Sequence, residues 1–552
     1  MSTNGKSRAR NATLGALIGA VVALGLAMAP SISAAADVTP FVPPLPTVMG
    51  PIASTPTNFP FIADGFDVFG PVPKGYVEDE FFFSGTGNLY EYTSTGIEVV
   101  TPCPASVTEG SDCMGIPYET RMLVKRPANP AQFSGTVIIE PLNPSANFDI
   151  AGVWDRSRDY FVRNGDVFVG WTSKSVTVNT LKGWNSTRYA PLAWTYAPFT
   201  PNGNSGVYDG ITFDIAAQIG RLFKENGPTS PLNGYNVKLV FEAGFSQDGE
   251  FAFTQAEIFN ALERMPNGGP IYDGYVPGGT GGPTGSINFG LTPAGTLAPT
   301  DARNEMQPRD VPVIHTNTQT EVFLGTLGLG YYRRADSDAA NDEYRLWEVP
   351  GASHVSNDLD DTVINLQLGQ AELQGITPAE LPAIGCTHQE FTPGPSTGIP
   401  GVIDPNRFPF AYAVNAAFDD LTQWVIKGTP PPNVRRITLT PQVLTGNIFG
   451  STIVTDSFGN AEGGFRTPFL DVPTATYIPF DTASHTTLFS GFCILYGYEL
   501  PFSGSELDTL YNNHGDYVKQ VVHETNDLVK NRMWLQADGV TVKQNAAQAS
   551  IP

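Results

Sequence analysis

The stretch that most constrains this chain is 238–261, KLVFEAGFSQDGEFAFTQAEIFNA. Leu239, Val240 and Phe241 make a continuous apolar run, the mark of a short buried strand. A sharp turn follows at Gly244-Phe245-Ser246-Gln247, and then an amphipathic helix carrying Phe251, Ile258 and Phe259. A strand that bends abruptly into a helix lifts the side chain at the bend clear of the sheet, beside the unpaired N–H groups of the helix start. That side chain is Ser246, which makes it the candidate nucleophile. The usual form of such a turn is Gly-x-Ser-x-Gly, because strand and helix pass very close. Here the fifth position is Asp248 and the glycine, Gly249, comes one place later. The spacing therefore predicts a slightly more open turn, or an Asp248 side chain aimed away from the contact.

A chain of 552 residues can bury a substantial core in one large or two ordinary domains. Its 57 glycines and 47 prolines imply many loops, a habit of exported proteins more than of helical bundles. The N-terminus fits export: Lys6, Arg8 and Arg10 precede an apolar run over 14–29 and the small residues Ser33-Ala34-Ala35-Ala36. This order predicts a secretory signal over 1–36 with cleavage after Ala36, and a secreted, periplasmic or cell-envelope location. The apolar run, roughly 16 residues, is short for a membrane span, so no stable insertion is expected after cleavage. Removing those three cations and no acid takes the formal charge from −23 to −26. A surface this acidic repels nucleic acid and anionic membranes.

Four cysteines, Cys103, Cys113, Cys386 and Cys493, form an even set that favours disulfides in an exported chain. Three pairings are possible, and closeness in sequence puts Cys103 with Cys113 and leaves Cys386 with Cys493. No C-x-x-C occurs, and no metal or cofactor is expected. Residues 279–285 are glycine-rich but open no helix, so they read as a loop and not a phosphate cradle. Residues 357–361 read as an acidic helix start in preference to a calcium loop.

Residues 37–74 are a proline-rich lead-in without helical period. Over 81–83, 90–92 and 119–124 the pattern is that of meander strands, a β-rich extension. Buried strands at 137–139, 167–169, 239–241, 271–276, 311–316 and 346–349 then alternate with helices at 154–163 and 211–223. Alternation of this kind predicts an α/β core over 75–384 with a mainly parallel sheet flanked by helices. Residues 385–552 are expected to form a C-terminal cap or subdomain, with a helix over 410–426 and one or two terminal helices from Ser505 to residue 529.

A serine hydroxyl needs a base to take its proton and an acid to orient that base. Of the six histidines, His354 follows the strand at 346–349 directly, in Pro350-Gly351-Ala352-Ser353-His354, where a late strand delivers a side chain to the rim of the sheet. His315 lies within a strand, and His514 and His523 on terminal helices, where structural roles fit better. Glu321, just after the strand at 311–316, is the expected acid, with Asp273 as its rival. An oxyanion needs two N–H donors. Gln247 should supply one at the helix start. The loop at 140–146 should supply the other, from Asn143 or Ser145, since Pro141 and Pro144 have no N–H.

These residues carry a resemblance. IIEPLNPSANFDIAGVW (138–154), VGWTSKSVTV to RYAPL (169–192), GFSQDG (244–249), NTQTEV (317–322), RLWEVPGASH (345–354) and GGFRTPFLDVPTATY (463–477) resemble the bacterial, mostly secreted "alpha/beta hydrolase domain" family. The resemblance implies an α/β-hydrolase fold and a triad of Ser246, Glu321 and His354. Two departures stand out: Pro144 sits where relatives often carry an N–H, and Glu321 where aspartate is more usual. The expectation is an exported serine hydrolase that cleaves a small-molecule carboxylic ester through an acyl-enzyme. A peptidase or amidase on the same triad, and a non-catalytic envelope or carbohydrate-binding protein, are the alternatives. The oligomeric state is left open.

Overall fold

The computed structural model describes residues 38–55, 57–61, 72–100, 113–194, 209–282, 287, 297–298, 300–356, 369, 371, 373–375, 404–481 and 494–551. The expected signal sequence, Cys103, Cys386, Cys493 and the acidic run 357–361 lie outside the described residues. Cys113 is described and fully buried.

The central sheet is built from β1 (Thr47–Met49), β2 (Tyr76–Gly87), β3 (Ile116–Pro127), β4 (Thr136–Leu142) and β5 (Val167–Thr172). It continues with β6 (Leu239–Phe245), β7 (Gly274–Gly278), β8 (Val313–Thr318), β9 (Ser337–Ala339) and β10 (Asp342–Val349). Across the sheet the order is β1-β2-β3-β5-β4-β6-β7-β8-β10-β9, with Ala193–Trp194 added beside β3. From β5 to β10 every neighbour is parallel, and antiparallel pairs close both edges. The β-rich residues after 75 join this same sheet: β2 and β3 pair from Tyr76↔Pro127 to Gly87↔Ile116 as its antiparallel side. The short hairpin Tyr90–Tyr92 with Ile97–Val99 stands apart from it.

The unbroken apolar runs are explained by cover on both faces. Val137, Ile139, Val167, Val169 and Val240 enter one core, where helix α3 (Thr212–Glu225) supplies Phe213 and Ile219 and the elbow helix supplies Phe251. Ile138, Phe168, Leu239 and Phe241, one position out of step, enter the other. There helix α1 (Gly152–Asn164) meets a long helix, Ala411–Lys427, through Phe161 and Phe418, whose rings lie 5.0 Å apart. The predicted helix over 410–426 therefore covers the sheet. Its C-cap is Gly428 at φ 63°, followed by three prolines.

The terminal helices are Gly504–Leu510, His514–Lys530 and Gln536–Gln548. The first begins one residue before the expected Ser505, and Ser503 caps it: Ser503 and Glu506 form a capping box. The last of the three gave no sequence signal. It is rich in Ala and Gln and buries only Asp538, Gly539, Val542 and Ala546. No helix among the described residues is long and apolar enough to cross a membrane.

Candidate active site

Strand β6 delivers Phe245, and helix α4 (Gln247–Thr254) begins one residue beyond the serine. Ser246 sits between them at φ 69°, ψ −124°, a conformation that a non-glycine residue keeps only when its surroundings hold it there. Three bonds do so. Ser246 N–H donates to Gly278 O at 2.9 Å, Phe245 N–H donates to Asp248 Oδ2 at 2.8 Å, and Asn143 Nδ2 donates to Phe245 O at 3.0 Å. The close approach of helix and strand falls on Gly244 and Gly249. A Cβ on the first would collide with the Asp248 carbonyl, and one on the second with the Gly278 carbonyl of β7. The displaced glycine thus does the work of the usual one, and the Asp248 side chain turns back onto the elbow.

Parallel register brings the other two residues to the same rim. Phe245 lies opposite Gly278, Gly278 opposite Thr316, and Thr318 opposite Val349, so β6, β7, β8 and β10 end together. Thr318, two residues past the expected strand end, is the N-cap of helix α5 (Gln319–Thr326). Glu321 is the third residue of that helix and completes a capping box. Its Oε2 accepts from Thr318 N–H at 2.7 Å and from Thr318 Oγ1 at 2.6 Å. Its Oε1 lies 2.5 Å from His354 Nδ1. Burial opposes ionisation of Glu321, but the charge and hydrogen bond of His354 and the donors of Thr318 prevail, holding the carboxyl below its usual range.

His354 follows β10 through the turn at Gly351, φ 81°. Its N–H donates to Thr320 Oγ1 at 2.9 Å, and its carbonyl accepts from Arg156 Nη2 at 3.0 Å. The same Arg156 guanidinium lies 3.6 Å over the Phe245 ring, which in turn packs 4.9 Å from the imidazole. Ser246, Glu321 and His354 together line a cavity of about 320 Å³, with Leu324, Leu329 and Leu495 as its apolar wall.

Other expectations resolve differently. Asp273 lies ahead of β7, at the far end of the sheet, where it pairs with Lys224 Nζ at 2.9 Å and accepts Val240 N–H at 2.9 Å. It is not the acid that meets His354. Asn143 spends its backbone N–H on Ile150 O, at 2.8 Å, and Ser145 N–H goes to Asn143 Oδ1, at 2.9 Å. Neither offers a backbone donor to an oxyanion; Asn143 instead steadies the elbow through its side chain. Gln247 is the first residue of α4, and its backbone N–H stands at the helix start. His315 is fully buried against Thr280 O at 2.8 Å, and burial pushes it down to about 4, a neutral structural histidine. Arg156 carries no local sequence signal for its role, whereas Thr318 does, in the Thr-x-x-Glu spacing of a capping box.

The description "Alpha/beta hydrolase domain" matches residues 48–544. The chain belongs to this family. The sheet order and the elbow after β6 are those of an α/β-hydrolase. No curated protein matches the sequence. Among solved structures, the carboxylesterase Cest-2923 from Lactobacillus plantarum WCFS1 is 12% identical, with a TM-score of 0.22, covering 37% of this chain and 68% of that one. Esterase 2 from Thermogutta terrifontis, phosphoramylated by tabun, is 11% identical, with a TM-score of 0.27, covering 51% of this chain and 96% of that one. Membership of the family rests on the span of the family match and not on these two likenesses.

Proposed function

We propose that this α/β-hydrolase family member is an exported serine hydrolase that cleaves carboxylic esters. The observation that carries the reading is the Glu321–His354 contact of 2.5 Å, made by an imidazole that shares its cavity with the strained Ser246. Ser246 Oγ attacks the ester carbonyl carbon while the free ring nitrogen of His354 takes its proton. Glu321 holds the imidazole in the tautomer that can do so and stabilises the cation that forms. The oxyanion forms against Gln247 N–H. His354 then returns the proton to the departing alkoxide, leaving an acyl-Ser246 that water cleaves by the same steps in reverse. The leucines beside Ser246 suit an apolar acyl or alcohol group.

Export is supported by the signal-like N-terminus. N-terminal sequencing of the exported protein should begin at Asp37. The test of the activity is hydrolysis of short-chain p-nitrophenyl esters: Ser246→Ala should lower kcat by about 10⁴-fold or more. Equal rates in the variant and the wild type would remove Ser246 from the mechanism.

A further inference from the structure

Beneath the elbow lie two carboxyl groups that the ester chemistry does not use. Glu140, near the end of β4, is fully buried, with Oε1 accepting Val153 N–H at 2.8 Å and Oε2 accepting Trp154 N–H at 3.3 Å. It is thereby fixed to the first turn of α1. Asp248, on the first turn of α4, is 2% exposed. Its Oδ2 accepts Phe245 N–H and its Oδ1 is buried, with the Asn143 side-chain amide also beside the carboxyl. The two side chains are within hydrogen-bonding reach of each other. Two carboxylates are both acceptors, so they can bond only if one of them carries a proton. We propose that Glu140 and Asp248 hold one proton between them and through it brace the elbow that presents Ser246, making Asp248 a positioning residue. The proposal rests on the reading of Ser246 as nucleophile.

The surroundings favour retention of that proton. Burial first, and then the Asp248 charge, push Glu140 well above the usual carboxylate range, and burial pushes Asp248 up to about 7. From α1, Asp155 adds a further negative charge against Glu140, while the Arg156 guanidinium lies on the same side, over Phe245. Glu250 shares helix α4, and Lys174, ahead of α2 (Ser175–Trp184), faces Asp209 before Glu250 and Asp248. The bonds run from the start of α1 through Glu140, the shared proton and Asp248 to Phe245 N–H. The same helix α1 carries the Arg156 that holds the His354 carbonyl. One brace therefore sets both the nucleophile and its base.

Asp248→Asn keeps an acceptor for Phe245 N–H and offers Glu140 a permanent N–H donor, whereas Asp248→Ala removes both. With a fluorophosphonate probe, the alanine variant should label at a rate about 100-fold below wild type, the scale of an ångström of misplacement, and the asparagine variant should recover most of that loss. At about pH 8, where an ordinary carboxyl is ionised, the infrared difference between wild type and Asp248→Asn should contain the carbonyl band of a protonated carboxyl. Wild-type labelling by a folded alanine variant, or an asparagine variant as slow as alanine, would overturn the positioning role. Absence of the infrared band would overturn the shared proton, and this holds even if the alanine variant fails to fold. No labelling of folded wild type would instead sink the nucleophile reading, and the positioning role with it, while the band still decides the proton.

Discussion

Oε1 of Glu321 lies 2.5 Å from Nδ1 of His354, and the other oxygen of the same carboxylate caps the helix that carries it. One side chain thus serves helix α5 and the imidazole together, and the two roles separate by mutation. Glu321→Gln keeps an acceptor for Thr318 but removes the charge behind His354, so kcat should fall by about 10³–10⁴-fold. Glu321→Ala should lose as much activity and in addition about 1 kcal/mol of stability from the cap. Ester kinetics and thermal melts of both variants check this pair of expectations.

Asp273 is the counter-case. It is partly exposed and its ion pair with Lys224 is of the weakly stabilising kind. Asp273→Asn retains an acceptor for Val240 N–H and should leave kcat/KM unchanged. A large fall in turnover would mean that the acid had been assigned wrongly.

Gly249 is where α4 crosses β7, and its missing Cβ makes room for the Gly278 carbonyl. Gly249→Ala should cost about 2–3 kcal/mol, as overpacking in a rigid contact does. Because Gly278 O also receives Ser246 N–H, activity should fall with stability. A variant that melts and turns over like wild type would show that the contact is loose.

Glu242 in β6 is fully buried, and neither of its carboxyl oxygens has a partner among the described residues. Burial raises its pKa well above the usual value. The unfolded chain releases this proton at about pH 4.3, so the folded state binds one more proton above that point. Stability is full below the unfolded value and is lost as pH rises toward the folded one, at up to about 1.4 kcal/mol per pH unit. Glu242→Leu should remove this loss, and its melting temperature relative to wild type should climb from pH 5 to pH 8. A constant difference across that range would show that Glu242 is already ionised in the fold.

Much of this architecture could be read from local pattern, because buried parallel strands and the elbow announce themselves within a few residues. Ser246, Glu321 and His354 each follow a buried strand, and the sheet then aligns the strand ends. What stayed hidden depends on distant contacts. Arg156 reaches His354 across 198 positions, and no spacing encodes that bond. Asn143 looked like an oxyanion donor from its loop, yet the loop closes on Ile150 and uses the N–H. Asp273 looked plausible as an acid because it falls within the strand expected over 271–276, but the strand begins at Gly274, so Asp273 precedes it, and only carboxyl ends of parallel strands meet at the rim. Asp248 breaks the small-residue pattern, and its reason, Glu140, lies on another strand.

The central claim is that Ser246 is the activated nucleophile of this fold. Its most direct test is fluorophosphonate labelling of the folded protein, with the modified residue located by peptide mapping. The account predicts a single adduct on Ser246, retained in Ser353→Ala and absent from Ser246→Ala. An adduct on another residue, or undiminished labelling of Ser246→Ala, would contradict it.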